Sequence, residues 1–369
     1  MQTVKTTLRE APDNVYARQI AFVAAFLLPA SKLLEVPSLL AKYAKGDLLV
    51  PAFLHFLLQG GLLFALLYAL SKSEVSLYER LQRTFGKWCK VFYALYAVYF
   101  LFAAILPLLD LEKFTYAAFS DTEPTFFNFA FFFLLSGFIC SKRIKAVGRS
   151  GDLCLFLFLF PFLAIIGMSL VETDFSHLLP FFGTEFKDTM YALKYTTPHF
   201  SDVVLLLPLF LHYKHEKGDT AKIMSGYGVG AGLSLLFLAV FFGIYSTIAQ
   251  REHYAFSKIA QYFPALSVVG RVDLIFIYLL SVVLLFFTAL PLQYATDLCV
   301  KTFPTLKRTL VALILNVGLF IFVLYCNKYY DFFYSLISGK LPFVFWLVAD
   351  LLPFFLIFLP KVNAKQKER

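Results

Sequence analysis

Apolar runs long enough to cross a bilayer recur along almost the whole chain, and they leave few folds open to it. A helix needs roughly 20 apolar residues to span the hydrocarbon core. Several runs reach that length, in a chain of 369 residues that is 60% hydrophobic and only 15% charged. In lipid every backbone polar group must be paired internally, so only helices and closed barrels can span. No strand alternation is visible, and the polar tails and loops are too short for a sizeable soluble domain. The expected class is an all-α polytopic membrane protein, one membrane domain over 1–369.

Ten transmembrane helices are expected, over about 18–43, 49–70, 90–116, 125–140, 147–171, 189–213, 222–249, 269–296, 307–327 and 341–360. A short amphipathic surface helix is expected at Val75–Leu81. Ten crossings put the tails, 1–17 and 361–369, on one side. Of the 33 Lys and Arg residues, 22 fall on the tail side and 8 on the opposite side; Lys32, Lys194 and Arg271 lie within helices or at their ends. Basic residues resist translocation, so both termini are assigned to the cytoplasm. The same asymmetry accounts for the net charge of +9, which reads as topology and anionic-lipid contact, not nucleic-acid binding. Residues 1–17 lack the short apolar core and cleavage site of a signal peptide. The five cysteines show no paired spacing, so neither a disulfide framework nor a zinc site is expected.

Two of the ten helices are interrupted. The first run, Gln19 to Leu28, breaks at Pro29-Ala30-Ser31 and resumes carrying Lys32 and Glu35. A proline there removes one backbone hydrogen bond and clashes with the preceding turn. The sixth helix breaks at Thr196-Thr197-Pro198-His199-Phe200-Ser201-Asp202. Pro198 disfavours helix at Thr197, and Ser201 and Asp202 resemble an N-cap for the second half. The breaks lie five helices apart, and an odd number of helices per half reverses the orientation of the second. The expected architecture is therefore a five-plus-five inverted repeat, 18–171 and 189–360, with discontinuous helices 1 and 6. A pair of ordinary proline kinks is the plainer alternative.

Secondary transporters of this design bind substrate at such interruptions. The candidate ligand-binding residues are Pro29, Ala30, Ser31, Lys32 and Glu35 in the first break and Thr196, Thr197, His199 and Ser201 in the second. Lys32 lies about 14 residues past Arg18, roughly 20 Å into the membrane. Ionisable groups at that depth usually face the bundle interior or water. Lys32 either replaces a coupling cation or holds a ligand carboxylate, or it pairs locally with Glu35. Asp110, with Glu112 and Lys113 close by, either binds the amine of a ligand or, the favoured reading, marks the outer membrane boundary of the third helix. Gly226-Tyr227-Gly228-Val229-Gly230-Ala231-Gly232 opens a membrane helix with no strand before it, so its glycines read as a packing seam and not a dinucleotide loop. No Walker loop, zincin motif, nucleophile elbow or catalytic acidic pair is present, and neither enzyme activity nor a cofactor or metal is expected.

The stretch Val36-Pro37-Ser38-Leu39-Leu40-Ala41-Lys42-Tyr43-Ala44-Lys45-Gly46-Asp47 resembles the end of the first helix and the first outer loop of the bacterial spore germination permease-like family, the B subunits of nutrient germinant receptors. Asp174–Gly183 and Gly270–Phe276 resemble it too, as do the chain length and helix spacing. The resemblance implies the fold of the amino acid–polyamine–organocation transporter superfamily. It also implies a sensor of a small nutrient, an amino acid foremost, in a spore inner membrane or the cell membrane. The implied partners are a larger A subunit and a lipoprotein C subunit. Two features depart from the pattern. Pro29 and Lys32 stand in a break usually built from small residues, and Gly270 stands where an acidic partner of the neighbouring Arg271 is usual, although Asp273 is present. The expected function is a permease-like subunit of a germinant receptor, triggered by a nutrient between helices 1 and 6. The alternative is a free-standing amino-acid transporter of the same superfamily.

Overall fold

The computed structural model describes residues 15–73, 75–119, 125–261, 273–336 and 347–358. The first expected helix is two helices, α1 (Ala17–Ala30) and α2 (Val36–Ala44). Next come α3 (Leu49–Ser71), a short α4 (Leu77–Phe85), α5 (Cys89–Phe119), α6 (Thr125–Ser141) and α7 (Ile144–Ser169). The sixth expected helix is also split, into α8 (Phe186–Thr196) and α9 (Asp202–Phe210). Then follow α10 (Asp219–Tyr245), a short α11 (Ala255–Gln261), α12 (Asp273–Thr302), α13 (Arg308–Lys328) and α14 (Tyr330–Ser335). A π-helical turn, Leu347–Leu351, leads into α15 (Leu352–Ile357), the described part of the tenth expected helix. Among the described residues, six helices are long and apolar enough to cross a membrane. The one β contact among the described residues is a parallel bridge between Val15 and Tyr213.

The core is built around α1. Ile20, Val23, Ala24, Phe26, Leu27 and Leu28 are all buried, so this helix is apolar all round and enclosed by others. It packs chiefly on α10 and α7. The glycine run of α10 makes the approach close: a methyl on Gly230 would sit 2.7 Å from Ala24 O, and one on Gly226 would meet the Ala21 backbone. Gly228 and Gly232 face open space. Two glycines four apart thus form a seam on one face, as the spacing predicts.

The surface helix starts later than expected, because Ser76 is its cap. Its hydroxyl accepts from Glu79 N–H at 3.4 Å, so Val75 stays outside. Leu77 and Leu81 are buried, and Arg80 Nη1 donates to Ala69 O at 3.1 Å.

Two stretches that carry the family resemblance meet at the end of the bundle opposite Val15. Asp47 is buried, and its two carboxylate oxygens accept from the backbone N–H groups of Phe182 (2.7 Å) and Thr184 (2.6 Å). Thr184 Oγ1 donates back to Ala44 O at 2.9 Å. Charge-assisted bonds of this kind are about twice as strong as neutral ones. Asp47→Ala is expected to lower stability by about 2 kcal/mol, read as a lower melting temperature of the purified protein. An unshifted melt would mean that the loop is held by other contacts. Gly270 and Arg271, in the third resembling stretch, lie outside the described residues.

Candidate functional site

Both predicted interruptions are present, and they face each other. In the first, the break is shifted: α1 runs through Pro29 to Ala30, and the unwound segment is 31–35. Pro29 has a helical φ and forfeits only its own missing N–H, so a helix can hold it in its last turn. Pro37, in the first turn of α2, fixes where the helix resumes. The carbonyls freed by the break find donors in α11. Leu34 O accepts from Ala255 N–H (3.1 Å) and Leu33 O from Phe256 N–H (3.0 Å), so the orphan amides of one helix start satisfy the orphan carbonyls of the other.

In the second, Thr197–Phe200 is a tight 3₁₀ turn with Pro198 near its start. The expected cap is corrected here. Ser201 precedes α9 but makes no side-chain cap bond; its hydroxyl points back to Thr197 O at 3.4 Å. The cap comes from α3: Gln59 Oε1 accepts from Val203 N–H at 3.1 Å.

Asp202 has a different task. Its carboxylate Oδ1 receives Lys32 Nζ at 2.5 Å, joining the two breaks through a wholly buried ion pair. Lys32 is 0% and Asp202 1% exposed. The ammonium also donates to Ser31 Oγ (2.9 Å) and lies over the rings of Phe200 (4.8 Å) and Phe56 (5.6 Å). Lys32 therefore pairs with Asp202, not locally with Glu35. Two lone charges of opposite sign deep in apolar segments must find each other, because neither can be left bare there.

Beside this pair lies a small cavity of about 90 Å³. From the first break it is lined by Ala30, Ser31 and Glu35, from the second by Pro198, His199 and Ser201, and from α12 by Thr288 and Pro291. Helix α5 adds Tyr99 and Asp110. Asp110 is buried at the cavity wall, the placement that its reading as a ligand contact requires. Of the nine predicted site residues, five line this cavity: Ala30, Ser31, Glu35, His199 and Ser201. The other four do not. Pro29 is buried within α1, and Lys32 is taken up by Asp202. Thr196 donates to Ala192 O, so its oxygen accepts from His55 Nε2 at 3.0 Å. Thr197 lines a second cavity, on the far side of the same turn.

A further knot of charge closes the Val15 end. Asp297, on α12, receives Arg308 Nη1 (2.9 Å) and Lys301 Nζ (3.1 Å), and Lys301 Nζ also donates to His212 Nε2 at 2.7 Å. Val15 N–H donates to His212 O at 3.2 Å. The segment after α9 is thereby tied to α12, to the start of α13 and to the chain preceding α1.

Among solved structures, the chain is similar to Mhp1 in an inward-facing conformation, at 14% identity over 93% of this chain and 78% of that one, with a TM-score of 0.46. No curated protein matches it by sequence. The family model described as spore germination protein matches residues 21–330, which takes in both breaks, the cavity and the charged knot. On that match the chain belongs to the spore germination protein family of permease-like membrane proteins.

Proposed function

We propose that this chain is the permease-like membrane subunit of a spore nutrient receptor, and that it binds a small amino acid or a similar nutrient in the cavity between its two broken helices. The observation that carries this reading is the convergence of both interruptions on one small cavity with polar side chains in its wall. The polar side chains in its wall, among them Glu35, His199 and Ser201, suit the amine and the carboxylate of a zwitterion. The five-plus-five inverted repeat, two halves with their first helices broken, belongs to the same reading. The lock between Lys32 and Asp202 supplies a two-state element: a ligand shifts the bundle only as far as it prefers one arrangement of the breaks over the other. Partner subunits, a larger A subunit and a lipoprotein C subunit, then read that shift. The Asp297 knot is a contact that any opening toward the Val15 end has to break.

The test is a binding screen of amino acids, sugars and nucleosides against the purified full-length protein in lipid nanodiscs. At least one amino acid is expected to bind saturably, and Ser201→Phe, which fills the cavity, is expected to weaken it at least about tenfold, or 1.4 kcal/mol. Undiminished binding by that variant refutes the cavity assignment. Uptake of the labelled ligand into proteoliposomes by this chain alone favours the free-standing transporter.

A further inference from the structure

The Thr197–Phe200 turn is a wall with two sides. On the face away from the first cavity lies a larger one, of about 540 Å³, between α3, α8 and the segment 347–358. Its polar residues are His55, Gln59, Lys194, Thr197 and Asp350, and the rest of its lining is Leu58, Leu62, Leu193 and Phe354. Asp350 sits in the π-helical turn, a distortion found often at functional sites.

The bonding of these groups determines what they can offer an occupant. Val203 N–H can only donate, so the oxygen of Gln59 faces it and the amide nitrogen faces Asp350. Gln59 Nε2 donates to Asp350 Oδ1, and no described residue donates to Oδ2. Thr197 gives its hydroxyl hydrogen to Leu193 O, so only its lone pairs remain. His55 directs its Nε2–H to Thr196. Lys194 is exposed, lies over the Tyr195 ring at 5.5 Å and makes no ion pair with Asp350. Apart from the exposed Lys194 ammonium and the second Nε2–H of Gln59, which remain donors, the capacity left toward the cavity is of the acceptor kind, with one carboxylate among it. The occupant it fits is a donor carrying positive charge. Leu58 and Phe354, 64% and 46% exposed, set the cavity on the apolar outside of the bundle, where an aliphatic tail lies against leucines.

We propose that this cavity is a second binding site, for a small aliphatic primary amine, with its ammonium on Asp350 and its tail along Leu58, Leu62 and Phe354. The site is separate from the nutrient cavity and shares one wall with it. Gln59 holds both Asp350 and the Val203 amide in the first turn of α9, so an amine on the carboxylate bears directly on the turn that lines the nutrient cavity.

The test uses the full-length protein in phosphatidylcholine nanodiscs, with n-hexylamine and n-hexanol as probes at neutral pH, followed by calorimetry. The amine is expected to bind saturably, one per chain, and at least about tenfold more tightly than the alcohol. Asp350→Asn is expected to abolish that preference. Leu62→Trp, which puts a bulky ring in the path of the tail and leaves the carboxylate in place, is expected to remove saturable amine binding, and it decides the matter where Asp350→Asn fails to assemble. Equal affinity for amine and alcohol reduces the site to an apolar slot and overturns the proposal. Retained amine preference in Asp350→Asn, or retained binding in Leu62→Trp, overturns it as well.

Discussion

Lys32→Met is expected to destabilise the protein by about 3–5 kcal/mol, because it leaves the Asp202 carboxylate buried without its counter-ion. Asp202→Leu is expected to do the same from the other side. The double variant Lys32→Met/Asp202→Leu is expected to recover most of the loss, since a well-packed apolar pair often matches a buried ion pair in stability. Melting of the three purified variants in detergent measures this. If either single variant melts with the wild type, the pair is not holding the breaks together. The double variant also separates structure from signalling. Restored stability with no nutrient response assigns the pair a switching role; restored response assigns it a structural one.

The second large effect reverses an ordinary rule. Glycine to alanine inside a helix normally stabilises by up to about 1 kcal/mol. On α10, Gly226→Ala and Gly230→Ala are expected to destabilise by about 3 kcal/mol, because the new methyl meets the backbone of α1 and no flexible side chain can yield. Gly228→Ala and Gly232→Ala, one turn-face away and over open space, are the matched controls and are expected to be neutral or slightly stabilising. Thermal midpoints of the four variants make the comparison. Four equal midpoints would mean that α1 and α10 are not in tight contact.

Much of this fold was legible in the chain because its main signals are local. Apolar length marks the spans, and Pro198 marks the turn that splits the sixth expected helix. The glycine spacing of α10 marks its contact face. What was not legible depends on partners distant in sequence. Pro29 looks like the break point, but the break lies one turn later, where Leu33 and Leu34 meet α11. Ser201 and Asp202 look like a cap by residue type, yet Gln59, more than a hundred residues earlier, makes the cap and Asp202 makes the ion pair. The pairing of Lys32 with Asp202 did have a signal, namely opposite lone charges in the two interrupted helices. Asp110 had an ambiguous one: Glu112 and Lys113 beside it resemble an aqueous boundary, and the packing of α5 on α12 is what brings it to the cavity.

The borrowed cap has a mechanical consequence. The carboxamide that seats the beginning of α9 is fixed to the middle of α3, so the two cannot part without baring a main-chain amide in an apolar interior. Any swing of that half-helix therefore drags its neighbour along, as a lever of two rods and not as a single hinged stick.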